Sequence, residues 1–148
     1  MNNTNNQCAL INKELIEKAL LQEYSSSPVK KLIEPIKAFS AENKIPFNIL
    51  EDVNINNDAE IHKHEADIWY CLDGEVTFVY GGELVDPWVK KNADGTVDDR
   101  EWKGKTIKNG TEVILKPGDW LWIPAGQPHQ HMTNTRARLV IIKIPKTQ

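Results

Sequence analysis

Two kinds of periodicity divide the chain near Pro46. Before it, apolar Ile11, Leu15, Ile16, Ala19 and Leu20 recur at helical spacing among Lys, Glu and Gln, which predicts an amphipathic helix over Ile11 to Tyr24. Ser25 to Ser27 followed by Pro28 reads as a stop and restart, with Ser27 as N-cap and Pro28 at the first helical position of a second helix that Pro35 keeps short. Its apolar positions, Val29, Leu32, Ile33 and Ile36, would cover a core. Past Pro46 the pattern becomes extended: Phe47 to Val53, Ile61, Ile68 to Leu72, Val76 to Tyr80, Val113 to Leu115, Trp120 to Ile123 and Leu139 to Ile144. Short strands separated by turn signals predict a sandwich or barrel. The turn signals are Asp73-Gly74, Gly81-Gly82, Asp94-Gly95, Asn109-Gly110 and Pro117-Gly118.

Asp86 to Asn109 is the least strand-like part of this half, rich in Lys, Asp and Gly with Trp88 and Trp102 embedded. It reads as a long surface excursion turning at Asp94-Gly95, either a lid over a pocket or a loop pinned to the barrel or a neighbouring subunit. Trp69, Trp120 and Trp122 read as core or barrel lining.

Composition narrows the partners. With 18 basic and 21 acidic residues the formal net charge is -3, which offers no field for collecting nucleic acid or an anionic membrane. No stretch approaches the roughly 20 apolar residues that span a bilayer. At 148 residues one structural unit is expected, with residues 1–44 forming a tail and capping helices and residues 45–148 the β domain. Met1 to Gln7 reads as a polar tail rather than a secretory signal. Cys8 and Cys71, in unlike surroundings, form no disulfide framework, and Cys71 reads as a small core residue. A reducing cytoplasmic location is expected.

The four histidines carry the candidate chemistry, since all fall in two segments: His62 and His64, then His129 and His131. In Lys116 to His131, KPGDWLWIPAGQPHQH, Gly118, Pro124, Gly126 and His129 are spaced as Gly, five residues, Pro, one, Gly, two, His. This resembles the second motif of the cupins. Thr133 stands where that motif carries Asn, and Asn134 follows one place later. The first motif resembles His62 to Gly74, with Asp67 in the place of the acidic ligand and the six-residue gap to Gly74 kept. Only two residues separate His64 from Asp67, so an alternative register sets Glu60 and His62 in the two histidine positions. Residues two apart on a strand share a face, so Glu60 with His62, or His62 with His64, can point inward together. Asp67 has the opposite parity and needs a turn or bulge between.

The resemblance spans roughly Phe47 to Ile144. It implies a mainly β double-stranded β-helix, the cupin jelly-roll barrel, preceded by α-helices. It implies a divalent metal (Fe, Mn, Ni or Zn) on His62, His64, Asp67 and His129, with Glu60 as the alternative to His64. Imidazole and carboxylate ligands suit those ions. Glu65 is expected to be a solvated charge or to orient a histidine, and His131 a surface or satisfied core residue. The function implied is a metal-dependent enzyme of dioxygenase, isomerase or decarboxylase type acting on a small molecule. The competing reading is a non-catalytic module that binds or senses one. Uncovered strand edges favour a homodimer.

Overall fold

The computed structural model describes residues 7–146. Helix α1 (Lys13–Leu20) starts at Asn12, whose side chain accepts from Leu15 N, an N-cap that satisfies a free amide of the first turn. The second helix begins later than the sequence suggests. Val29–Leu32 is strand β1, and α2 (Ile36–Asn43) follows Pro35 instead of ending at it. The residue before a proline is pushed from helical toward extended backbone. Register pairs Val29 with Val53 and Leu32 with Leu50, so backbone hydrogen bonding decides a segment whose apolar spacing also suits a helix.

The remaining strands are β2 (Phe47–Asn56), β3 (Ala59–His62), β4 (Glu65–Gly74), β5 (Val76–Tyr80), β6 (Glu83–Leu84), β7 (Trp88–Lys91), β8 (Val97–Gly104), β9 (Ile107–Lys108), β10 (Thr111–Leu115), β11 (Trp120–Ile123) and β12 (His129–Pro145). Strand β12, 17 residues long, organises them. Its first part pairs with β3 and β5, and its later part with β2 and β4. A register irregularity between Thr133 and Arg136 marks the passage from one layer to the other. One layer thus runs β7-β8-β3-β12-β5-β10 and the other β1-β2-β12-β4-β11, all antiparallel. The result is a mostly β jelly roll with two short helices. The sheet is not closed into a barrel: β1, β7, β10 and β11 each pair on one side only among the described residues, leaving it open.

Alternation along the strands builds two cores. Leu50, Trp69, Cys71, Val76, Phe78, Leu115, Ile123, Leu139 and Ile141 fill the space between layers. The opposite face of β2, β4 and β12 presents Ile49, Tyr70, Leu72, Val140 and Ile142 to Ala19, Ile33 and Ile36 of the N-terminal segment. Burial on both faces explains the unbroken apolar run of β12, which a one-sided strand would not need. Arg138 fastens that segment: its guanidinium donates to Glu51 Oε1 and to the carbonyls of Leu20 and Gln22, with Tyr24 stacked over it at 4.1 Å.

Trp120 and Trp122 correct the expectation of lining. They are 64% and 54% exposed. Register pairs Trp120 with Tyr70 and Leu121 with Trp69, and cross-strand partners share a face, so Leu121 and Ile123 point inward instead. Gly74 ends β4 where no side chain fits. Its φ is positive, and a Cβ would collide with the Arg136 carbonyl at the bend of β12.

Candidate metal centre

Strand β3 sets Glu60 and His62 two residues apart, hence on one face. His129, the first residue of β12, lies directly across from Glu60. What delivers His129 is the bend at Pro124 to Pro128. Gly126 has φ +86 with nothing near its would-be Cβ, so backbone conformation rather than space demands glycine. Its amide donates to the His62 carbonyl at 2.8 Å. The glycine of the second motif therefore ties the bend to the strand that carries His62.

Candidate ligand atoms of Glu60, His62 and His129 all lie within 4.8 Å of one another, and the two imidazole centroids are 5.1 Å apart. Asp67 borders this group. Lys63 and His64 form a bend between β3 and β4, the turn its parity requires, and Asp67 is buried. Its Oδ2 stands 3.4 Å from His129 Nε2 and 3.9 Å from His62 Nε2. Glu60 Oε1 is 3.8 Å from the same His62 nitrogen. His64 stands apart: it is exposed in the bend, its carbonyl accepts from Lys146 N, and its side chain helps line a cavity of about 260 Å³ outside His62. Geometry thus assembles the Glu60–His62 register, not the His62–His64 one.

The protonation pattern suits a cation. His129 Nδ1 faces the Gln127 carbonyl at 3.1 Å; a carbonyl can only accept, so Nδ1 carries a hydrogen and Nε2 is the nitrogen that offers a lone pair in the neutral ring. His129 Nε2 and Asp67 Oδ2 are both buried with no hydrogen-bond partner, unusual for polar atoms unless something else satisfies them. Burial, then the nearby Lys143, pushes His62 below the ordinary imidazole range, toward the neutral ring. Burial alone would raise Glu60, but His62, Lys30, His129 and Lys103 outweigh it and hold the carboxyl below its usual value. Asp67 follows the same logic: burial raises it, while the His129 and Lys143 contacts bring it down further. Neutral imidazoles and ionised carboxylates are the forms that bind metal.

Two further residues reach this group. The 86–109 excursion does turn at Asp94-Gly95, where Asp94 Oδ1 accepts from Thr96 N and Oγ1, and its residues Asp98, Arg100 and Glu101 wall the cavity outside His62. Strand β8 joins the sheet beside β3, pairing Glu101 with His62 and Trp102 with Ile61. Trp102 therefore falls on the opposite face, where it lines a separate groove with Ile61, Leu84 and Pro128 and carries Lys63 over its ring at 5.2 Å. Glu101 falls on the site face, with Oε1 3.1 Å from His62 Nδ1, though not aligned as a hydrogen bond, and Oε2 2.8 Å from Lys90 Nζ. Lys143, paired with Asp67 across β4 and β12, sets Nζ 2.9 Å from Asp67 Oδ1 and 3.3 Å from His62 Nε2. A lysine inside the apolar run LVIIKIP was a visible signal for the second. Nothing in the sequence singles out Glu101 from its charged neighbours.

His131, in contrast, is a core histidine. It is buried, 2.8 Å from Asp52 Oδ2, with the Asn57 amide against its ring nitrogens and its ring against Trp69 and Phe78. Cys71 is buried too, its thiol pushed up to about 11 by desolvation, and Cys8 is exposed; neither is in a disulfide.

No family model matches the sequence, and no curated protein resembles it significantly. Solved structures do. The cupin domain of Drosophila melanogaster CENP-C is 11% identical with a TM-score of 0.46, covering 69% of this chain, which spans only 58% of that one. The TT1209 protein of Thermus thermophilus is 15% identical with a TM-score of 0.49, over 89% of this chain and 95% of that one. A recombinant oxalate oxidase in complex with glycolate is 14% identical with a TM-score of 0.49, over 84% and 57%. At such identities, and with TM-scores below 0.5, these likenesses carry no argument about activity or family. The two-layer strand order stands on its own coordinates, and within it the segments of both motifs meet at one buried site. The described residues thus form an open, two-layered antiparallel jelly roll, the architecture that the resemblance of the two motifs implies.

Proposed function

We propose that this protein is a metal-dependent cupin enzyme acting on a small molecule, with a divalent ion held by Glu60, His62, Asp67 and His129. The observation that carries the reading is the convergence of ligand atoms from half-buried Glu60 and buried His62 and His129, bordered by Asp67 Oδ2 and including a His129 Nε2 without a hydrogen-bond partner. Two carboxylates and two imidazoles form a mixed O/N set, which suits Mn, Fe, Ni or Zn. Bound there, the ion would supply Lewis acidity to a substrate oxygen. The chain's own residues do the rest. The Gln127 carbonyl fixes the His129 tautomer, Glu101 holds the far side of His62, and the carboxylates carry the negative charge that a dication neutralises.

The same proposal makes residues 45–148 the functional unit, since every site residue lies at or after β3, with residues 1–44 as a cap. It makes the protein a cytoplasmic homodimer, for which the open edge strand β11 and exposed Trp120 and Trp122 give the physical motive. The test is metal analysis of protein purified without a polyhistidine tag, followed by titration of the stripped protein with Mn(II), Fe(II), Co(II) and Zn(II). One ion per chain is expected, lost in His129→Ala; a stripped protein that binds none of them refutes the reading. Saturable small-molecule binding without product would leave a binding module instead of an enzyme. A second reading rests on Lys143, whose ammonium already sits against Asp67 and His62: a centre in which lysine has taken the metal's place permanently.

A further inference from the structure

We infer that Lys143 is a tethered cation that fills the centre of the metal-free protein and is expelled when the metal enters, so that it sets the affinity of the site. This rests on the metal reading above. Both short contacts of its ammonium are to proposed ligands, Asp67 Oδ1 at 2.9 Å and His62 Nε2 at 3.3 Å. An ammonium has hydrogens to donate and no lone pair, so in this contact His62 Nε2 is the acceptor. One lone pair cannot serve the ammonium and a metal at once. The two cations are mutually exclusive at His62 and repel each other at Asp67.

The structure also supplies what expulsion needs. The backbone of Lys143 is fixed by register opposite Asp67, so the stem is anchored and only the four-carbon side chain must swing. That side chain is 36% exposed, against 1% for Asp67 and 2% for His129, so the ammonium has a way to water that the ligands lack. In the empty protein it has a stabilising role. A buried carboxylate without a partner is strongly destabilising, and among the described contacts of Asp67, Lys143 makes the shortest.

Two measurements test this. Stripped wild-type protein and Lys143→Met are titrated with Co(II) alone by calorimetry; Lys143→Met should bind about tenfold more tightly or better, because no internal cation has to leave. In wild-type protein, acetylation of Lys143 by an amine-reactive ester, followed by mass spectrometry, should rise several-fold when Co(II) is present, relative to exposed Lys105 as an internal standard. The second measurement needs no variant, so a Lys143→Met chain that fails to fold does not shield the inference. Equal affinities, or labelling that Co(II) leaves unchanged, would overturn it while the metal reading stands. Absence of Co(II) binding by both proteins would overturn the metal reading and this inference together, and leave lysine as the permanent occupant.

Discussion

His129 and His131 stand two residues apart on one strand, both buried and both beside a buried carboxylate, yet only one belongs to a candidate metal centre. His131 approaches Asp52 at 2.8 Å, has the Asn57 amide against its ring and lies between Trp69 and Phe78. His129 stands 3.4 Å from Asp67 and leaves Nε2 without a hydrogen-bond partner, facing Glu60 and His62. Burial beside an acid therefore does not mark a site. Convergence does: Asp52 Oδ1 and Oδ2 also lack a hydrogen-bond partner, but only at His129 do ligand atoms of three residues come within 4.8 Å of one another among the described residues.

Replacing each histidine by alanine should break the pair in opposite ways, and this is the largest effect expected. His129→Ala should lower Co(II) affinity by about a hundredfold or more, losing one of few ligands, with modest change in stability. His131→Ala should leave affinity within about threefold but cost about 3 kcal/mol in a denaturant titration, since Asp52 is left buried and the ring's packing is lost. Matching losses of affinity in both would erase the distinction.

The next contrast separates the two ligand registers. Glu60→Ala should weaken Co(II) by roughly tenfold to a hundredfold, as for loss of a coordinating or closely supporting group, whereas His64→Ala, an exposed bend residue, should change nothing measurable by calorimetry. The reverse result would restore the His62–His64 register. Smaller again, Glu101→Gln should cost about tenfold in affinity with unchanged thermal stability, because it only steadies His62 from behind.

Much of this was legible beforehand. Strands at Val76–Tyr80 and Trp120–Ile123 follow from apolar runs between turn dipeptides, and the Gly118–His129 spacing foretells a bend that the Gly126 amide closes onto β3. What the sequence leaves open is which side is in and what lies next to what. Trp120 alternates like a core residue but faces out, because only register against Tyr70 decides the face. Val29 to Leu32 satisfies helical spacing and strand propensity alike, and pairing with β2 resolves it. Glu60 looked interchangeable with His64 until the β3–β4 bend turned one inward and the other to solvent. Glu101 is 39 positions from His62 and meets it only through sheet pairing.

The mildest expected effect is with pH. His62 is held below its ordinary value of 6.5, so above about 6.5 it is neutral folded or unfolded and contributes nothing either way. As pH falls through 6.5, the unfolded chain takes up its proton first and folding loses stability. Glu60 and Asp67 are depressed as well; they stabilise the fold above the ordinary carboxylate range and lose that contribution as pH drops through their lowered values. Both effects predict acid destabilisation of the stripped protein in two stages. Thermal melts against pH should show a first decline beginning near 6.5 that Lys143→Met reduces, since Lys143 follows burial as a cause of the His62 shift.

The most direct measurement is an anomalous difference map from crystals of stripped protein grown with Zn(II). One peak should lie about 2.0–2.2 Å from the nitrogens of His62 and His129 and from a Glu60 or Asp67 oxygen, with the Lys143 side chain swung away. A map without density at that point, with the Lys143 ammonium still against Asp67 and His62, would contradict the metal centre.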